Sequence, residues 1–280
     1  MSNKFHVFLN EGAESINIAR LQHLESLDLN LVGKRVLEVG AGVGRLTSFF
    51  EALNCSILTT DGRAENVNEI RLHHPERQAA VVDLETATNL AHLGSFDVVF
   101  CYGTLYHLSN PEQAIRALGS VCQEMILLET CVTPGYELEI HPLYEDKDNP
   151  NQAVSGTGCR PTRSWVVETL KKYFEFAYLT THQPAHPDFD LQWEPGLEKK
   201  LHRAVFVGSR QPLSSEKLTE TIATHQTYDP DIYQIALDAG AQVISYSIQH
   251  DFVLIRIDKQ SHEQEENLTF VRKDSASYNA

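Results

Sequence analysis

The chain has 280 residues, of which 42% are apolar and 22% charged, an ordinary balance for a folded globular protein and not for a disordered, collagenous or coiled-coil one. Lys and Arg number 23 against 38 Asp and Glu, a net charge of −15, so the surface as a whole repels phosphate backbones and anionic lipid and argues against a nucleic-acid partner. No run of about 18 apolar residues is present, which argues against a membrane span, and the first twenty residues show no secretory pattern. Cys55, Cys101, Cys122, Cys131 and Cys159 are odd in number, widely spaced and without a C-x-x-C pair, as expected of reduced thiols in a cytoplasmic protein. No H-E-x-x-H or Cys/His quartet occurs, so no metal site is expected.

In chain order, Ile16, Ile18, Leu21, Leu24 and Leu27 give residues 14–28 a helical spacing, and residues 1–30 read as an N-terminal helical cap. A short apolar strand, 34–39, runs into glycines, and a helix is expected over 43–53. Strands at 55–60, 79–82, 96–101 and 125–130 then alternate with helices at 64–72 and 111–121. This β-α succession with continuous apolar strands predicts a doubly wound, mostly parallel sheet. Residues 131–162 break the alternation with four prolines and three glycines and read as a long functional loop. A helix at 162–174 and strands at 177–181 and 204–207 follow, the two strands separated by a polar insertion, 182–200. A linker is expected at 209–217 and a small α+β extension at 218–280. The extension has a helix at 231–239, a hairpin of 242–248 with 252–257, and a frayed tail from 260. A hairpin is marginal alone, so its apolar faces need cover, from the main domain or from a second copy in a homodimer.

The segment VLEVGAGVG, 36–44, joins the first strand to its helix. Its glycines let bare backbone pass beneath a ligand at a helix start. A phosphate loop would need G-K-[S/T] and a dinucleotide fingerprint G-x-G-x-x-G. Here the third glycine, Gly44, comes one residue early and Arg45 holds its place. Glu38, Asp61 and Asp83 end three successive strands. Carboxylates at that sheet edge suit a cationic group, ribose hydroxyls and an amine respectively.

With VLEVGAGVG, TTDG, VVDLE and FDVVFCYGTLYHL in order, residues 15–208 resemble the class I S-adenosylmethionine-dependent methyltransferases. The resemblance implies a Rossmann-like methyltransferase fold of seven strands with the last antiparallel, covering 31–208. It implies that Gly40, Ala41, Gly42 and Gly44 meet the methionine part of S-adenosyl-L-methionine, with Asp61 on the ribose. Gly62, Arg63, Asp83 and Leu84 would surround the adenine, and Tyr102 and Gly103 would meet the methionine amine. The stretch YGTLYHLSNP is similar to a subgroup that includes small-molecule methyltransferases and a tRNA wobble-uridine-modifying enzyme.

Methyl transfer to a hydroxyl needs a base, and His107, six residues beyond the fourth strand, is the candidate; a pocket wall is its other reading. Tyr106, His141, Tyr144, Arg160, Arg163 and Trp193 are the acceptor-side candidates, drawn from the loops. Glu145, Asp146 and Asp148 suit either magnesium or a solvated loop. Three functions follow: methyl transfer to a small molecule, modification of RNA on the same fold, or non-catalytic binding of the cofactor.

Overall fold

The computed structural model describes residues 4–193 and 202–229 and the backbone of three further strands at 243–247, 252–256 and 268–272. Its main sheet is built from β1 (Arg35–Val39), β2 (Ser56–Asp61), β3 (Gln78–Val81), β4 (Phe96–Tyr102) and β5 (Cys122–Cys131). These five are parallel. Strand order reverses between β1 and β4, which opens a crevice at their carboxyl ends, where open α/β sheets bind ligands. Beyond β5 the hairpin strands β6 (Ile140–Tyr144) and β7 (Thr157–Pro161) leave the sheet. The chain re-enters with β8 (Phe176–Thr180), and β9 (His182–Gln183) follows; β10 (Arg203–Ser209) then inserts antiparallel between β5 and β8.

The sheet has eight strands where seven were expected. β11 (Leu218–Thr219) pairs antiparallel with the edge of β8, and β12 (Thr227–Tyr228) pairs with β9. Residues assigned to a linker and an extension are thus partly an edge of the main domain. Further on, β13 (Val243–Ser247) and β14 (Phe252–Arg256) form the expected hairpin. β15 (Leu268–Arg272) adds a third antiparallel strand where a frayed tail was expected. The helix expected at 231–239 lies outside the described residues.

Side chains alternate along the strands, so the sheet has two apolar faces. Leu37, Val99, Ile126 and Phe206 pack against α5 (Pro111–Val121) and α6 (Arg163–Tyr173). Val36, Phe100, Leu127 and Val205 pack against α2 (Glu11–Ser26) and α3 (Thr47–Ala52). Each fully buried Leu, Val or Phe contributes about 1.5–3 kcal/mol. α2 starts at Glu11 because Asn10 accepts a hydrogen bond from the Ala13 amide, a side-chain cap that the apolar spacing alone did not reveal. α3 is shorter than the 43–53 expected, since residues 42–46 form turns with Gly42 and Gly44 at positive φ.

The long 131–162 segment is not irregular throughout. β6 and β7 form a regular antiparallel hairpin, and residues 145–156 at its tip fold back toward the carboxyl edge of the sheet. α4 (Ala64–His73) follows β2, and its start receives that tip. Arg63 Nη2 donates to the carbonyls of Lys147, Gln152 and Ala153, and Asn66 Nδ2 to that of Pro150.

Candidate functional site

A cavity of about 360 Å³ opens above the switch between β1 and β4. Its floor is the turn after β1. Gly40 has φ +63°, and a Cβ there would run into the Thr104 side chain. Gly42, at φ +57°, lies under the Phe8 ring of α1 (His6–Leu9). The Ala41 amide donates to Thr60 and Thr104 Oγ1 to the Val39 carbonyl, so the turn is pinned to both neighbouring strands. One side of the cavity is Asp61, Gly62 and Arg63 with Val82, Asp83 and Leu84. The other is Tyr102, Gly103, Tyr106 and His107. Pro150, Asn151, Gln152 and Val154 of the hairpin tip cover the first side, and α2 closes the back with Asn17 and Arg20.

Asp61 is buried and organises the floor. Its Oδ2 accepts from the Gly42 amide at 2.8 Å, and its Oδ1 from the Arg63 amide at 2.8 Å and from Asn66 at 3.1 Å. Burial raises its carboxyl above the usual range, with those donors opposing. Oδ2, with one protein donor, keeps a lone pair for a ligand.

At the deep end Glu129, wholly buried, accepts from Arg20 Nη2 at 2.6 Å and from Arg203 Nη1 at 2.9 Å. Burial alone would raise the Glu129 carboxyl, but the two guanidiniums hold it below its ordinary value. Arg203 Nη2 also donates to the Tyr106 hydroxyl at 3.3 Å, and Asp188 stands 3.9 Å from its Nε. Arg20 Nε and the Tyr102 hydroxyl are buried donors with no partner among the described residues. Both atoms belong to side chains that line the cavity.

His107 sits beside this wall. Its Nδ1 is hydrogen-bonded to Glu145 Oε2, and its Nε2 has no partner among the described residues. Burial lowers the imidazole pKa below its ordinary value, with Glu145 opposing. For Glu145, burial works upward, but His107, the Ala153 amide and Arg160 outweigh it and hold the carboxyl below the usual range.

Several sequence candidates lie elsewhere. Glu38 is buried beneath the turn and does not line the cavity. Its Oε2 accepts from Thr47 Oγ1 at 2.6 Å and from Thr59 Oγ1 at 3.2 Å, tying α3 to the sheet. Gly44 also faces away, its carbonyl accepting from Arg77. Trp193 is core: it is 1% exposed, its Nε1 donates to Gln226, and Arg163 stacks over its ring 4.0 Å from the centroid. Arg163 is thereby removed from the cavity as well, its Nη2 held by the Ala223 carbonyl. His141 and Tyr144 are exposed on β6, His141 beside Glu139 and Tyr144 93% exposed. Arg160 lies behind Tyr106, donating to the carbonyls of Tyr106 and Cys159. Of the acidic run, Glu145 turns inward to His107. The sequence reading missed Arg20, Glu129, Arg203 and Asn17.

Glu38 carries a testable consequence. Burial raises its pKa to about 7 from 4.5, with Thr47 and Thr59 opposing. An acid whose folded pKa is raised stabilises the fold fully below its unfolded pKa and loses that contribution as pH rises through the folded one. Urea unfolding should therefore show Glu38→Gln gaining on the wild type between pH 4.5 and 7, by up to about 3 kcal/mol at pH 8. A constant difference across that window would place the charge in contact with water.

A family model described as a methyltransferase domain matches residues 37–124. The ubiquinone biosynthesis O-methyltransferase of Xanthomonas euvesicatoria pv. vesicatoria (strain 85-10) is 36% identical over 110 residues, 38% of this chain and 46% of the relative. The protein of the same name from Shewanella halifaxensis (strain HAW-EB4) is 28% identical over 115 residues, 40% of this chain and 47% of the relative. The chain thus spans about half the length of the curated relatives it matches. Among solved structures, the N-terminal domain of EvdMO1 with SAH bound aligns with a TM-score of 0.55 at 23% identity, over 73% of this chain and 84% of that one. An S-adenosylmethionine-dependent methyltransferase from Mesorhizobium loti aligns with a TM-score of 0.51 at 14% identity, over 69% of this chain and 98% of that one. At these identities the structural likeness speaks for the fold.

Proposed function

We propose, from the premise that this chain belongs to the class I S-adenosylmethionine-dependent methyltransferases, that it moves a methyl group from that cofactor to a hydroxyl of a small-molecule acceptor. The observation that carries the reading is one cavity lined by both the glycine turn and a partly buried histidine. Relatives named for O-methyl transfer support a hydroxyl acceptor. The net charge of −15 supports a small molecule over RNA.

The residues present fit the cofactor. Gly40, Ala41 and Gly42 line the floor of the cavity in a turn that only glycine's positive φ allows at 40 and 42, and Asp61 Oδ2 offers a free lone pair to hydroxyl donors. The buried donors at Arg20 and Tyr102 suit a carboxylate, and apolar Val82 and Leu84 beside Asp83 suit a flat base that also carries an amine. Bound there, S-adenosylmethionine would supply an activated sulfonium methyl, which an acceptor oxygen could take while the C–S bonding pair goes to sulfur. What this chain adds is position and a base. The floor and walls hold two reactants together, which is worth about 7–11 kcal/mol in well-oriented model systems. The hairpin tip and α1 limit access of water from above. His107 Nε2 takes the hydroxyl proton, and its lowered pKa keeps the imidazole neutral and able to do so at pH 7. Buried cysteines, unpaired among the described residues, accord with a reducing cytoplasmic setting.

Calorimetry with S-adenosylhomocysteine tests the cofactor half. Micromolar binding is expected for the wild type. Gly42→Asp is expected to bind at least about 10²-fold more weakly, because it sets a strained residue and a second carboxylate beside Asp61. Equal heats from both proteins, or none from the wild type, would sink the reading. The acceptor half is tested by turnover of labelled cofactor over a panel of phenols and catechols. Turnover should rise with pH through a midpoint below the ordinary histidine pKa of 6.5, as a base with a lowered pKa requires.

A further inference from the structure

Glu145 comes from the hairpin tip, yet its side chain is only 3% exposed and ends against His107. Three contacts hold it there. Oε2 meets His107 Nδ1 and also accepts the Ala153 amide at 2.8 Å. Oε1 lies 3.7 Å from Arg160 Nη1. Gly158 opens the space: a Cβ there would collide with the Tyr106 carbonyl and with Glu145 Oε1. Both ends of this segment are anchored on the cavity. Arg63 and Asn66 hold the tip at the end near Asp61, and Glu145 meets His107 at the other.

We propose that Glu145 is a positioning residue for His107: its carboxylate accepts the Nδ1 proton, fixes that tautomer, and leaves Nε2 facing the cavity as a proton acceptor. The proposal rests on reading His107 as the base. The chemistry follows from the two nitrogens of a neutral imidazole. One carries the proton and the other a lone pair, and an anionic acceptor at Nδ1 settles which. Arg160 keeps Glu145 from becoming the proton's final owner, since protonation would leave the guanidinium facing a neutral acid. The same carboxylate stabilises the imidazolium formed when Nε2 takes a proton. The charged and titratable groups that bear on His107 are Glu145 and Arg160 from the hairpin, Arg203 from β10 and the neighbouring Tyr106. Arg160 and Arg203 oppose the imidazolium, and Glu145 favours it.

The test uses the full chain, ¹⁵N-labelled at histidine and saturated with S-adenosylhomocysteine, with turnover on a phenolic acceptor measured in parallel. In the wild type the neutral His107 ring should carry its proton on Nδ1. Glu145→Ala should mix the two tautomers and lower kcat about 10²-fold, with KM for the cofactor within a few-fold. Glu145→Gln should restore the tautomer, because its amide oxygen still accepts, and recover most of kcat. Its His107 titration midpoint should fall below that of the wild type, because the charge is gone. A wild-type ring protonated on Nε2 overturns the proposal. So does Glu145→Ala with an unchanged tautomer and turnover within a few-fold of wild type. If Glu145→Ala does not fold, an unchanged midpoint in Glu145→Gln overturns it alone. The ring signals do not depend on turnover. A set tautomer together with a fully active His107→Ala therefore condemns the reading of His107 as the base, and leaves the control of the ring by Glu145 measured separately.

Discussion

His107→Ala is expected to lower turnover on a hydroxyl acceptor by about 10²- to 10⁴-fold, the span general-base removal usually covers, while S-adenosylhomocysteine binding stays within a few-fold of wild type. The separation of the two effects follows from the geometry. His107 lines the cavity, and its side chain holds no bond to Asp61 or to the glycine turn. The loss should depend on the acceptor. A phenol whose pKa lies near or below the assay pH is already partly ionised and should lose less than a phenol of high pKa. A plot of the variant's loss against acceptor pKa should therefore slope upward. A flat plot with losses of only a few-fold would return His107 to the role of cavity wall and leave the transfer to proximity alone.

The second large effect is one of stability. Replacing Glu129 by Ala should cost about 3–5 kcal/mol in urea unfolding, because two guanidiniums would remain buried with no anion between them. Arg20 reaches Glu129 from α2 and Arg203 from β10, so the carboxylate ties that helix to the antiparallel strand inserted between β5 and β8. The wild-type pair should also weaken in acid. A carboxyl held below its usual value stabilises the fold above its unfolded pKa, 4.5, and loses that contribution as pH falls through the folded value. The Glu129→Ala protein should accordingly show a shallower fall in stability below pH 4.5 than the wild type. A cost under about 1 kcal/mol would mean that water reaches the guanidiniums, as at exposed ion pairs. The triple replacement of Arg20, Glu129 and Arg203 by apolar residues should regain much of the loss, because a buried ionic cluster and a packed apolar one are often equal in stability. The donors at the deep end of the cavity would go with it.

The parts of this site that the chain announces are those made by neighbours in sequence. The glycine turn and Asp61 sit at ends of apolar strands, and strand ends of a parallel sheet converge on one edge, so Gly40, Gly42, Asp61 and Asp83 were legible together. Arg20 and Arg203 were not, because their meaning comes from a shared partner 109 and 74 residues away. One signal was available: Glu129 interrupts the apolar run MILLETC, and a carboxylate inside a central strand demands buried cations. The hairpin of β6 and β7 hid behind Pro142 and Pro161 and a mostly exposed first strand, which erase the alternation that betrays a half-buried one. Arg163 and Trp193 looked like ligands because both are rare, large and polar-tipped. In the fold the guanidinium stacks on the indole, and their polar atoms bond elsewhere, Arg163 Nη2 to the Ala223 carbonyl and Trp193 Nε1 to Gln226. Glu38 shows the same limit: its place at a strand end suited a cation, yet two threonine hydroxyls claim it.

The way the hairpin tip is held has a bearing on how freely this protein can be altered. Arg63 and Asn66 grip it through the carbonyl oxygens of Lys147, Pro150, Gln152 and Ala153, atoms every amino acid supplies. The side chains of residues 147, 150, 151 and 152 make none of these four bonds and are released from that part of the docking, while Ala153 is buried and Asn149 Oδ1 accepts the Asn151 amide within the tip. A randomised library across 147–152 with Glu145, Arg63 and Asn66 untouched should retain folded, seated loops at high frequency. The roof of the cavity is in this sense a cassette, in which the rim facing an acceptor can be rewritten while the apparatus beneath it stays as it is.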